Sequence, residues 1–70
     1  MIQSFSPAST NIASVSHDSD TDTLTVDFVD GGTYEYLNVP ASVYRAFQSA
    51  PSAGSFMHRQ IKGRYSYEAA

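Results

Sequence analysis

The chain has no cysteine and no tryptophan, and only four glycines, three prolines and four lysine or arginine residues among its 70 positions. Each shortage excludes something. Without cysteine there is no disulfide framework, no thiolate nucleophile and no thiolate metal ligand, which fits a reducing compartment. No apolar run is long enough to span a bilayer, and the first residues lack a basic stretch followed by an apolar one. Neither a membrane span nor a signal peptide is read, and a cytoplasmic protein is expected. The net charge of −3 argues against a general nucleic-acid coat protein. There is no phosphate-cradling glycine loop and no nucleophile elbow. A chain this short buries only about 60% of its unfolded surface, leaving little room for a pocket. No enzyme, catalytic residue, cofactor or small-molecule substrate is expected.

What is present is patterned. Asp18, Asp20, Asp22, Asp27, Asp30 and Glu35 all precede Pro40, whereas Arg45, Arg59, Lys62 and Arg64 follow it, joined only by Glu68. Residues 1–10 are serine-rich and lack periodicity, so they read as a flexible leader to a single domain over 11–68. Asn11 to His17 suits a strand with Ala13, Val15 and His17 on one face. Ile12 has the opposite parity, which suggests a bulge or packing ahead of the strand. Asp18 to Asp22 is a polar turn. Leu24, Val26 and Phe28 alternate with Thr25 and Asp27, the mark of a half-buried strand. Gly31 and Gly32 permit a reversal, and Thr33 to Leu37 returns. Pro40 suits the first turn of a helix carrying Val43, Tyr44, Ala46, Phe47 and Ala50 as an apolar stripe. Pro51 ends it. Ser52 caps a second helix running to about Lys62, with Gly63 as terminator and Phe56, Met57 and Ile61 inward. Tyr65 and Tyr67 alternate in a last extended stretch. The expected fold is α+β: a three-stranded antiparallel meander, with room for a short fourth strand, and two short helices packed on one face.

The hairpin loop decides where Tyr34 and Tyr36 point, because side chains alternate along a strand. A two-residue loop at Gly31-Gly32 sets Phe28 opposite Glu35 and displays both tyrosines outside the core. A three-residue loop, Val29-Asp30-Gly31 with Gly31 left-handed, sets Val26 opposite Tyr34 and Leu24 opposite Tyr36. The odd loop is expected, since the even one aims Glu35 at the core at a cost of several kcal/mol. The tyrosines then belong mainly to the structure; on the other reading they form a stacking platform.

Few groups here suggest chemistry. Asp18-x-Asp20-x-Asp22 fails as an EF-hand, with Thr23 at the sixth position and Val29 at the twelfth, and reads as a turn. His17 and His58 have no partner at metal-ligand spacing and are expected in solvent or at the core edge, so no metal site is assigned. The strongest candidate runs from His58 to Tyr67. Arg59 and Lys62 are helical neighbours, Arg64 follows, and Tyr65 and Tyr67 supply rings. Cations beside aromatics can hold a phosphate backbone and stack a base; cations also suit a helix C-terminus on structural grounds alone.

Ser9-Thr-Asn-Ile12, Leu24-x-Val26-x-Phe28, Gly32-x-Tyr34-x-Tyr36-x-x-Val39-Pro40, Val43-Tyr44, Ala50-Pro-Ser52-x-Gly54 and Ile61-x-Gly-x-Tyr65-x-Tyr67 together resemble the KTSC domain, over residues 9–67. That family is named after the C-terminus of some lysyl-tRNA synthetases and also occurs as small bacterial and phage proteins. The resemblance implies the fold above, a Tyr-x-Tyr motif at Tyr34 and Tyr36, and RNA as a partner. Two positions depart from it: Ser16-His17-Asp18 stands where Gly-Tyr-Asp is common, and His58 where asparagine is common. The leading expectation is a non-catalytic module that contacts RNA through Arg45, His58, Arg59, Lys62, Arg64, Tyr65 and Tyr67. The alternative is a protein-interaction module, a phage-type regulator of a host protein, using the acidic sheet face around Asp27 and Glu35 or a strand edge. No membrane partner is expected, and the sequence does not decide the oligomeric state.

Overall fold

The alternating segments pair as one antiparallel sheet of five strands in chain order: β1 (Ile2–Phe5), β2 (Ile12–Asp18), β3 (Thr23–Phe28), β4 (Gly32–Tyr36) and β5 (Tyr67–Ala69). Helix α1 (Ala41–Ser49) and helix α2 (Ala53–Phe56), which runs on into a π-helical turn at Met57–Ile61, lie between β4 and β5. The computed structural model describes all 70 residues. Strand alternation puts Val15, Leu24, Val26 and Tyr36 on one face, where they meet Tyr44, Phe47, Ala53, Met57 and Ile61 from the helical segment. Both helices thus cover one side of the sheet, and Thr25 and Glu35 stay on the other.

Two strands exceed the meander expected. β5 is the short extra strand anticipated near Tyr67. β1 was not anticipated: residues 1–10 are not a free leader, because Ile2–Phe5 pairs with Val15–Asp18. The reason is tertiary. Phe5 sets its ring edge-on to Tyr44 and Phe47, with centroids 5.7 and 5.8 Å away, and so covers core aromatics that β2 and α1 leave open.

The bulge near Ile12 is present. Ile12 pairs with Phe28 but Ser14 pairs with Asp27, so Ala13 is the extra residue and is exposed, not on the inner face. Its insertion brings Ile12, Val15 and His17 all inward. The β3–β4 register sets Leu24 opposite Tyr36 and Val26 opposite Tyr34, with Phe28 opposite Gly32. This is the odd loop. The left-handed residue is Gly32 (φ +85°) rather than Gly31, since the chain reverses handedness only as it re-enters the ladder. Glu35 is exposed. It faces Glu68 directly across the β4–β5 pair, a like-charge juxtaposition that weakens this edge.

In α1, Pro40 is the N-cap, extended at ψ 155°, and so stands one position before the first helical turn. Ala46 is exposed, because it lies about 200° around the helix from Tyr44. Ser52 Oγ accepts from the Ser55 backbone N–H at 3.3 Å and caps α2 as expected. The following turn is not α-helical: the Lys62 N–H donates to the Met57 carbonyl, five residues back. The wider turn keeps Met57 and Ile61 both inward, and Gly63 (φ +79°) ends it.

His17 is 3% exposed and is a core residue, neither solvated nor marginal. Its Nε2–H donates to the Val39 carbonyl at 2.7 Å; a carbonyl only accepts, so this nitrogen carries the proton. Its ring stacks on Tyr44, with centroids 5.4 Å apart and planes 20° apart. The Tyr44 hydroxyl is buried with no hydrogen-bond partner. Two substitutions should therefore move stability in opposite directions. His17→Phe strands the Val39 carbonyl and should cost about 1–3 kcal/mol, whereas Tyr44→Phe removes an unpaired hydroxyl and should be neutral or stabilising by up to about 1 kcal/mol. Urea denaturation of the two variants checks both signs.

Candidate nucleic-acid interface

The inner face of the sheet is wider than the helices that cover it. Phe28 and Tyr34 sit at the hairpin end of that face, beyond the reach of α1, and are only half-buried. Between them and the α2–π segment lies an open groove of about 830 Å³. Phe28, Tyr34, Tyr36 and Tyr67 form its aromatic wall; Gly54, Met57, His58 and Lys62 come from the helical side; Asn11 and Asp30 close the hairpin end.

The rings make a connected row. Phe28 meets Tyr34 edge-on at 5.8 Å, Tyr34 meets Tyr67 edge-on at 5.6 Å, and Tyr67 tilts over Tyr36 at 5.4 Å. Tyr36 is 4% exposed while Tyr67 is 60% exposed, so the row sets a core ring directly beside a solvent-exposed one. Of the two tyrosines of the central motif, Tyr36 is a core residue and Tyr34 packs half-buried against the core, and both rings also line the groove. Lys62 Nζ stands 5.9 Å from the centre of the Phe28 ring, within cation–π range, and pairs with no carboxylate. Gly54 is helical and has open space where a side chain would go: a Cβ there meets nothing within 4 Å.

Of the residues expected to bind, the structure brings His58, Lys62 and Tyr67 into the groove together with Tyr34 and Tyr36. It does not bring the other cations there. Arg45 is exposed on α1, and Arg64 turns back so that its Nε–H donates to the Arg59 carbonyl at 3.2 Å. Tyr65 packs against the core. On the acidic sheet face, Asp27 accepts from the Thr33 hydroxyl at 3.0 Å. The aspartate run forms the turn expected of it, Asp18 accepting from the Asp20 backbone N–H at 3.0 Å. Asn11, Phe28, Asp30 and Gly54 line the groove, though the sequence pattern assigns none of them to a binding site. Gly54 alone left a signal: a glycine inside a helix with no turn to make.

The residues matched by the KTSC domain family model are 8–65 of this chain. The chain belongs to the KTSC domain family. A solved KTSC domain protein from Yersinia pestis shares 34% identity, with a TM-score of 0.94, over 100% of this chain and 99% of that one. Both edge strands, which lie outside the family model's span, fall within that match. The lysine–tRNA ligases of Trichormus variabilis and Nostoc punctiforme are 40% and 39% identical over 62 residues, 89% of this chain. The chain spans only 11% of the length of those ligases. The domain thus occurs both as a separate protein and within a much larger one. No helix of this KTSC domain is long and apolar enough to cross a membrane. Of the two departures from the family pattern, His17 belongs to the core and His58 to the groove.

Burial, and behind it the neighbouring Tyr67 and Tyr34 phenols, raises the Tyr36 hydroxyl above the ordinary tyrosine value of 10.0; burial alone raises Tyr44. The folded state therefore keeps these protons to higher pH than the unfolded chain does. Their contribution to stability is complete below about pH 10 and is lost as pH rises through the folded values. The urea midpoint should therefore fall as pH rises above about 10, and fall less in Tyr36→Phe. An equal fall in that variant would remove Tyr36 from the account.

Proposed function

We propose that this KTSC domain is a non-catalytic module that holds unpaired RNA in the aromatic groove. The observation that carries the reading is the row of four rings beside an unpaired lysine. Every base has a π face to stack on such rings, and a phosphate has Lys62 to meet. The lysine–tRNA ligases that contain the domain add support, since their named substrate is a tRNA. An RNA-holding role also implies a cytoplasmic protein. On this reading the contact surface shrinks from the whole basic half to one cation. Arg45, Arg59 and Arg64 lie outside the groove lining, so the strand is gripped chiefly by stacking. The acidic sheet face is a poorer candidate for an RNA partner, because Asp27 is already tied to Thr33 and the carboxylates there repel phosphates.

The test is a titration of labelled protein with short single-stranded RNA, read by amide chemical shifts. Shifts should centre on Tyr34, Gly54, His58, Lys62 and Tyr67. Log affinity should fall with log salt at a slope near −0.7, the value of roughly one phosphate contact on a single strand. Gly54→Leu fills the groove without a backbone clash and replaces a poor helix former, so it should raise stability by about 1 kcal/mol while abolishing binding. Undiminished affinity in a stable Gly54→Leu variant would move the site elsewhere.

A further inference from the structure

Resting on the RNA reading, we infer that the groove selects a guanine, with Asp30 and Asn11 as the residues that read its edge. The two meet at one end of the groove: the Val29 N–H donates to the Asn11 carbonyl at 2.9 Å, which fixes the hairpin tip carrying Asp30 beside the start of β2. Both line the groove, and neither side chain is engaged in a hydrogen bond or ion pair within the chain. An ionised carboxylate only accepts, and an amide both donates and accepts. Guanine alone among the four bases offers two adjacent N–H donors, N1 and N2, next to a carbonyl acceptor, O6. Asp30 accepts from the two donors and the Asn11 amide donates to O6. Adenine would turn its N1 lone pair toward the carboxylate, and uracil and cytosine cannot offer two neighbouring donors. The base stacks on the exposed Tyr67 ring, against which Tyr34 stands edge-on, and the phosphate reaches Lys62 on the opposite wall. An arginine side chain could also stack on tyrosine and bridge to Asp30, but Lys62 in the same groove opposes a cation and favours a ligand that carries an anion.

The experiment uses the full chain and four pentanucleotides, UUGUU, UUAUU, UUCUU and UUUUU, with an arginine-containing tripeptide as a fifth probe. UUGUU should bind roughly tenfold more tightly than the others, the usual worth of a bidentate base contact. Asp30→Asn, in an exposed turn, should erase that preference, so that UUGUU and UUUUU bind the variant with equal affinity. Equal binding of all four RNAs would overturn the guanine assignment and leave the RNA groove standing. A guanine preference that survives in Asp30→Asn would overturn the role given to Asp30. If no RNA binds, both readings fall, and tripeptide binding at Asp30 would then mark the groove as a guanidinium site.

Discussion

A single buried hydrogen bond ties the two halves of this domain together. His17 lies on the inner face of β2, and its imidazole donates to the carbonyl of Val39, in the link between β4 and α1. The Val39 N–H in turn donates to the Asp22 carbonyl at 2.8 Å, in the β2–β3 turn. One residue is thus held from both sides of its peptide, and the chain enters α1 in a fixed direction. The stacked Tyr44 ring, covered by Phe5, then sets how α1 lies on the sheet. With no disulfide available, a core of this size depends on such convergence, because an unpaired carbonyl at Val39 would consume a large share of a stability on the order of a few kcal/mol.

That arrangement determines where the groove opens. α1 is anchored near β2 and Val39, which leaves the far end of the inner face to α2 and its π-turn. These are too short to cover Phe28 and Tyr34. The rings therefore serve both purposes, closing the core at Tyr36 and reaching solvent at Tyr67. Burial alone does not explain a glycine at position 54, since an alanine would suit the helix better and has room. Its effect is to keep the groove open. A π-turn at the same place fits the wider association of such turns with functional sites.

Much of this was legible in the sequence, and the failures have physical causes. Alternation at Leu24, Val26 and Phe28 and the cost of burying Glu35 were enough to set the hairpin register, because both act locally. The caps at Ser52 and Gly63 were legible for the same reason. β1 was not, since Ile2–Phe5 has little signal of its own and becomes a strand only through Phe5 packing on Tyr44 and Phe47. His17 was misplaced because a buried imidazole needs a partner twenty-two residues away, which spacing cannot reveal. The basic cluster was seen as one surface, yet the π-turn and the return of Arg64 to the Arg59 carbonyl leave only Lys62 in the groove. Asn11 and Asp30 were invisible as a pair because the bulge at Ala13 and the hairpin tip bring them together only in three dimensions.

The facing carboxylates of Glu35 and Glu68 give the groove a property that the core does not share. They weaken the three-residue strand that carries Tyr67, so this wall can fray while the rest of the sheet stays intact, as expected of segments with low local stability. Any ligand that stacks on Tyr67 draws on the docked state of the strand, and its apparent affinity scales with the fraction of molecules in which that strand is in place. Occupancy and edge order are then one equilibrium: filling the groove completes the sheet, and loosening the edge empties the groove without unfolding the domain.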